Sequence, residues 1–381
     1  MHRVGNLYQD ICDIENIRLA IWNASNRKRK RADVQAVLFD FDYYAYKIQD
    51  MLINRTYEPS APEEKVIYCK SSKKYRTISI PEFYPDLCIQ WAVMQILQPV
   101  FMKSIYQYSC GSVPGKGTQY ARKTVEKWVR KDPKNTKYCL TMDIKKFYPS
   151  VNLGILKNKL RTKFKDRQVL WLLDTIIDVC DVGLPVGFYT STWFSNFLLD
   201  ELDHKIKEEF GGAAYYIRNV DDMNCYGANK KKLHKLRVKI AEYLSGIGLE
   251  LKETWQVFKY GVKAKRRHKE GYRISRVTDF VGYSYYRTHT KLRKSIALNL
   301  RRKAIKIQKK GYADAKSAAS LVASLGWSRH GDCYNFYMAN IKRRVDMAQI
   351  KGVISNESRK RSFEVRKLYE TIYRRCDYFR Q

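Results

Sequence analysis

No two cysteines in the chain have the C-x-x-C spacing, and its six histidines do not gather around its nine cysteines. A zinc ribbon or zinc finger is therefore excluded as the organising element. The cysteines stand singly, and an odd, dispersed set without a secretory leader predicts a reducing, cytoplasmic setting. No long apolar run, signal peptide or lipidation motif occurs, so no membrane anchor is expected. No internal repeat is evident. The loop from Tyr108 to Thr118 is Gly-rich and basic, yet it lacks the phosphate-loop spacing G-x-x-x-x-G-K-[ST]. Acid is scarce as well: 38 Asp and Glu against 73 Lys and Arg leave a formal net charge of +35. A chain that basic repels itself unless a polyanion is near, and nucleic acid is the commonest one.

What is abundant fits that partner. Twenty-nine Tyr and seven Trp are interleaved with the cations, a mixture suited to base stacking and phosphate contact, although most of these rings must also fill core edges. The length of 381 residues allows two or three packed units, and a hydrophobic content of 45% allows a sizeable core. Residues 1–60 read as helices, one over 13–23 and a second carrying Val34, Val37, Leu38, Phe41, Tyr44 and Ile48 at helical spacing. Residues 65–80 read as a hairpin with a basic turn. Further helices are predicted over 86–102, 118–129, 189–209 and 229–247. Strands are predicted over 137–142, on either side of Asp221 and Asp222, over 248–251 and over 277–283. A basic loop is expected at 259–275 and a basic helical tail after 290. The fold class is α+β, an antiparallel sheet with helices on one face.

Asp221 and Asp222 sit between Tyr215, Tyr216, Ile217 and Val220 on one side and Met223, Cys225 and Tyr226 on the other. β-formers flanking turn-formers predict two strands joined at the acidic pair. Alone, such a pair is usually a solvated hairpin tip. Asp143 closes the strand 137–142, and if these strands pair, three carboxylates converge. That is the donor set of a Mg²⁺ site for nucleotidyl transfer, since Mg²⁺ takes a few carboxylates and keeps its waters. Lys73, Lys74 and Arg76 on the basic hairpin supply cations for a triphosphate.

The series of blocks over roughly residues 65–290 resembles the bacterial and phage reverse transcriptases of retrons, diversity-generating retroelements, antiviral defence systems and group II introns. Arg76 to Pro81 with Asp86 resembles the first fingers block, and Ser109 to Gly117 the second. Leu140 to Val151 resembles motif A, Gly183 to Asn196 motif B, Arg218 to Asp222 motif C, and Gly248 to Lys252 motif D. Asp279 to Tyr283 resembles the primer grip.

The resemblance implies a right-hand polymerase: an N-terminal helical extension over 1–60, fingers over 61–135, a palm with an antiparallel sheet over 136–288, and a basic helical thumb over 289–381. It implies an RNA-directed DNA polymerase with two Mg²⁺ ions, Mn²⁺ being a substitute. Asp143, Asp221 and Asp222 would be catalytic and metal-holding, with the Ile144 carbonyl as a further ligand. Tyr148 matches the steric gate that excludes a ribose 2′-hydroxyl. Pro185 and Gly187 match the turn whose backbone approaches the new base pair. Lys74 and Arg76 would clamp the dNTP, and Lys252 would be either the lysine that protonates pyrophosphate or a solvated surface residue. Asn219, Val281 and Gly282 would meet primer and template. Implied partners are an RNA template or structured non-coding RNA, the DNA product, dNTPs and a partner protein or second copy, with no membrane. The setting would be bacterial or phage-encoded.

Two positions depart from the family pattern. Asn219 replaces the aromatic of Tyr-x-Asp-Asp, which alters how the primer end is held without removing a metal ligand. Ser191 and Thr192 stand where intron enzymes have Ser-Pro, which points toward the retron, retroelement and defence branches. Readings that share the fold are an RNA-binding scaffold, DNA synthesis that is protein-primed or non-templated, and an RNA-dependent RNA polymerase, which Tyr148 opposes.

Overall fold

The computed structural model describes residues 3–69, 74–260 and 277–373. The N-terminal helices are α1 (Ile14–Ala24), α2 (Ala32–Phe39) and α3 (Phe41–Ile53); α1 packs on α3 and on α4 (Cys88–Met102), and α2 packs on the Phe83–Leu87 segment. On α1 the buried residues Ile17, Ala20, Ile21 and Ala24 recur at helical spacing, and Asp13 caps its first turn by accepting from the amides of Glu15 and Asn16. The single helix expected over residues 34–48 is two helices, broken at Asp40.

Strands β1 (Glu63–Cys69) and β2 (Lys74–Ile80) form a two-stranded hairpin. Its turn, including Lys73, lies outside the described residues, as does most of the basic loop expected at 259–275. Helix α5 (Thr118–Lys131) leads into β3 (Tyr138–Asp143), the centre of the main sheet. Helices α6 (Leu153–Lys163), α7 (Arg167–Ile177) and α8 (Tyr189–His204) follow, then the hairpin of β4 (Tyr215–Asn219) and β5 (Asp222–Gly227), and α9 (Lys230–Gly246). The sheet order is β4-β5-β3-β6, antiparallel throughout, with β6 at Gln256–Lys259.

The strand expected over 248–251 is not a ladder strand. That segment touches the sheet at one bridge, Ile144 to Leu251, and the edge strand forms five residues later. Its alternating Leu249 and Leu251 reflect core contact rather than strand pairing.

Period-two alternation divides the sheet's faces. Leu140, Met142, Met223 and Cys225 point into the larger core with α4, α8 and α9. Cys139, Ile217 and Tyr226 point the other way, into a second core with α5 and a small sheet of β7 (Asp279–Phe280), β8 (Tyr283–Tyr285) and β9 (Thr290–Leu292). Both faces are therefore covered, not one.

The basic tail begins with β9 and continues as α10 (Lys294–Lys310), α11 (Ala315–Ser328) and α12 (Met347–Tyr373). These helices have their own core: Leu300, Ala304 and Ile307 meet Ala318, Leu321 and Leu325. Residues 374–381, which close the expected basic segment, lie outside the described residues. Among the described residues no helix is long and apolar enough to cross a membrane.

Candidate active site

Antiparallel pairing of β3 with β5 sets Asp143 opposite Asp222. Pairing of β4 with β5 sets Asn219 opposite Asp222, so Val220 and Asp221 form a two-residue turn. The Asp221 carbonyl accepts from the Ile144 amide at 3.3 Å, which ties the turn to the end of β3. Three carboxylates from two distant segments thus meet at one end of the sheet. Val220 holds φ at 61°, at the first turn position, where glycine is the usual choice. For a β-branched residue that conformation costs about 1–2 kcal/mol, so its surroundings must enforce it.

The carboxylates repel one another. Burial pushes the Asp222 carboxyl up to about 7, reinforced by Asp143 and Asp221, while Arg293 and Lys252 pull in the opposite direction. Asp221 is raised too, by burial and then by Asp143. A group of acids that resists ionisation in this way favours any cation that enters it. Hard oxygen donors of this kind suit a divalent metal. Among the described residues no three His, Cys, Asp or Glu side chains already stand in a metal-holding cluster. Asp143 instead faces Lys252, whose Nζ donates to Oδ1 at 2.5 Å and whose amide donates to the Asp143 carbonyl at 2.8 Å. Lys252 is thus paired with Asp143 beside the acidic group, while its side chain is still more than a third exposed.

The other sequence-predicted residues assemble around this point by backbone packing. The Tyr148 carbonyl accepts from the Leu184 amide at 2.8 Å. Gly183, with φ at 68°, lies so close to Pro149 that a Cβ would come within 2.6 Å of its backbone. The segments of Tyr148 and Pro185 are therefore one packed unit. The Tyr148 hydroxyl accepts from Ser195 Oγ of α8 at 3.4 Å. At Gly187 a Cβ would meet the Ser79 carbonyl at 2.4 Å and Ile78 at 2.9 Å. The close approach that requires glycine there is to strand β2. Lys74 and Arg76 share a face of β2 with Ile78 by alternation, so their face is the one turned toward the Gly187 turn.

Val281 and Gly282 form the turn between β7 and β8, with φ at 42° and 85°. The Gly282 carbonyl accepts from the Arg293 amide at 2.9 Å, and its Cα faces the Trp327 ring. The Tyr283 hydroxyl donates to the Trp327 carbonyl at 2.9 Å, fastening this turn to α11.

Asp203 escaped the sequence reading. It is fully buried on α8 and forms a bidentate pair with Arg218. The signal was present: Asn196, Asp200 and Asp203 recur at i, i+4 and i+7 on a helix otherwise crowded with Phe and Leu, so polar groups line an inward stripe.

A family model described as reverse transcriptase (RNA-dependent DNA polymerase) matches residues 68–273, more than half of the chain. The chain belongs to the reverse transcriptase family. Its fold is the α+β right hand of that family. Retron Ec73 reverse transcriptase of Escherichia coli is 33% identical over 110 residues, covering 25% of this chain and 35% of that protein. Protein YkfC of Escherichia coli is 26% identical over 175 residues, covering 43% and 45%. Group II intron-encoded protein LtrA of Lactococcus lactis is 24% identical over 220 residues, covering 54% and 36%. The chain thus spans less than half the length of each of these relatives. It resembles the retron protein at higher identity than the intron protein, the direction in which Ser191 and Thr192 point. Among solved structures, apo telomerase from Candida tropicalis aligns with a TM-score of 0.44 at 15% identity, over 78% of this chain and 64% of that one.

Proposed function

We propose that this chain synthesises DNA on an RNA template by nucleotidyl transfer at Asp143, Asp221 and Asp222. The observation that carries the reading is the pairing of Asp143 with Asp222, with Asp221 in the adjoining turn. Asp143, Asp221 and Asp222, with the Ile144 carbonyl, would hold the divalent ions; two Mg²⁺, or Mn²⁺ in their place, would activate the primer 3′-hydroxyl and relieve charge on the leaving pyrophosphate.

The chain's own residues do the rest. Lys74 and Arg76 neutralise the triphosphate from the β2 face. Tyr148, steadied by Ser195, fills the space a 2′-hydroxyl would need and so selects deoxyribonucleotides. The turn of Pro185 and Gly187 supplies backbone rather than side chain beside the new base pair. Val281 and Gly282 meet the primer strand, and Asn219 meets its terminal base pair with a short amide in place of a ring. Lys252, paired with Asp143, keeps the acidic group charge-balanced and stands where a proton can be delivered to pyrophosphate. In this reading residues 61–135 act as fingers, 136–288 as palm and 289–381 as thumb. A net charge of +35 supports an RNA partner, and likeness to a retron protein supports a dedicated structured RNA in a retroelement or defence setting.

The test is incorporation of labelled nucleotides by the purified protein on a primed RNA template with Mg²⁺. The expected result is deoxyribonucleotide incorporation that disappears in Asp221→Asn. Equal use of ribonucleotides overturns the role of Tyr148. Incorporation that survives Asp221→Asn overturns the site.

A further inference from the structure

Behind the Val220–Asp221 turn lies a polar cluster that touches none of the reacting groups. Arg218, on β4, is 1% exposed, and Asp203, on α8, is 0% exposed. Arg218 Nε donates to Asp203 Oδ1 at 2.8 Å and Nη2 donates to Oδ2 at 2.6 Å. The remaining arm, Nη1, donates to Asn196 Oδ1 at 3.1 Å and to the Val220 carbonyl at 3.0 Å. Asn196 passes the tie on, its Nδ2 donating to the Gly111 carbonyl at 2.8 Å. Gly111 in turn presses on the turn from outside: a Cβ there would meet Val220 Cγ2 at 2.4 Å and the Val220 amide nitrogen at 2.6 Å. Tyr216 completes the cluster by donating to Asp203 Oδ1 at 2.7 Å.

We propose that Arg218, supported by Asp203 and Asn196, is a positioning residue that holds the Val220 carbonyl and thereby sets where Asp221 and Asp222 present their oxygens. This rests on the reading of those carboxylates as the metal-holding groups. Three features carry it. First, Val220 occupies a backbone conformation a β-branched residue adopts only under constraint, and Arg218 and Gly111 are the constraint on its two sides. Second, the planar fork of arginine bonds a carboxylate on one edge and still donates from its other arm, which a lysine cannot reproduce. Third, a buried ion pair is a poor source of stability against apolar packing of the same volume, so stability alone gives the pair little reason to be there. Helix α8 also carries Ser195, which touches the Tyr148 hydroxyl. One helix therefore backs both the residue read as the sugar gate and the acidic turn.

The experiment replaces the cluster without stranding a charge: Arg218→Met, Asp203→Leu and Tyr216→Phe together, with Asn196→Ala as a separate variant. Three quantities are read: urea unfolding, amide exchange at residues 219–223, and the Mg²⁺ concentration giving half-maximal dNTP incorporation. The triple variant is expected to unfold cooperatively near the wild-type midpoint. Its turn amides should exchange about tenfold faster or more. Its Mg²⁺ requirement should rise about 10- to 100-fold, as when a residue orienting a ligand is lost, with KM for dNTP little changed. Asn196→Ala should move the same two readouts in the same direction by less. A folded triple variant with wild-type exchange and wild-type Mg²⁺ requirement overturns the proposal. If the triple variant fails to fold, Asn196→Ala decides by the same two measurements. Absence of incorporation by the wild-type protein would sink the functional reading, whereas the exchange comparison still decides the brace.

Discussion

Asp203 and Asp222 stand on opposite sides of one hairpin turn, and the fold treats them differently. Asp203 is fully buried, and Arg218 meets both of its oxygens. Asp222 has two further carboxylates as neighbours, and its pKa is driven up to about 7 by burial and by Asp143 and Asp221. Asp86 shows a third solution. It is 1% exposed and takes neutral donors, the Tyr57 hydroxyl at 3.0 Å and the Ser60 amide at 3.2 Å, and burial raises it to about 6. The chain supplies an internal cation at Asp203, spreads the charge over hydrogen bonds at Asp86, and leaves the charge at Asp222 incompletely answered. A site built to take a cation from solution should look like Asp222, because an internal arginine there would exclude the metal.

The comparison breaks first at Asp222. Asp222→Asn should reduce nucleotide incorporation about 10³-fold or more, some 4 kcal/mol of barrier, while leaving the urea midpoint equal or higher. Relief of like-charge repulsion explains the stability arm. A large loss of stability instead would make Asp222 a structural residue like Asp203.

Behind the turn the expectation reverses. Arg218→Ala strands the Asp203 carboxylate in a dry site and should cost about 3–5 kcal/mol by urea unfolding. A cost within that of an exposed pair would mean that water reaches Asp203.

Asp86 gives the pH test. Its folded pKa of about 6 lies above the ordinary carboxylate value, so between those values the folded chain binds more protons than the unfolded one. Its contribution to stability is therefore present at low pH and lost as pH rises from about 4 to about 6, amounting to up to about 3 kcal/mol. Denaturant unfolding across that range should show a weaker decline in Asp86→Asn than in the wild type. Identical slopes would remove Asp86 from the account.

The smallest effect is expected at Lys252. Its pair with Asp143 is more than a third exposed on both sides, so Lys252→Gln should change stability by less than about 1 kcal/mol. Its informative readout is the Mg²⁺ titration of incorporation. With no ammonium competing for Asp143, the half-maximal concentration should fall. An unchanged requirement would show that Lys252 leaves Asp143 before metal arrives.

The strands bearing Asp143, Asp221 and Asp222 were legible because short β-forming runs flank turn-forming acids, a local signal. Tyr148, Gly183 and Gly187 were legible through motif resemblance, yet the reason glycine is needed at 187 was not: its close neighbour is Ser79, on a strand more than a hundred residues earlier. Lys252 was legible only as a match to motif D, with a solvated surface lysine as the alternative, and not as the partner of Asp143, since pairing over a separation of 109 residues leaves no periodic trace. The segment 248–251 was misread because Leu249 and Leu251 alternate as a half-buried strand would while only bridging to the sheet. Asp203 was hidden inside a helix whose charged residues look solvent-facing until the inward stripe of Asn196, Asp200 and Asp203 is traced.

The fit of Gly111 against Val220 has an evolutionary consequence. The two positions form a mould and its cast: the missing side chain at 111 is the space occupied by the Val220 isopropyl group. Among relatives that keep this loop, residue size at the two positions should covary. A side chain appearing at the first should be accompanied by a smaller residue at the second, and drift at either position alone should be purged although neither touches substrate.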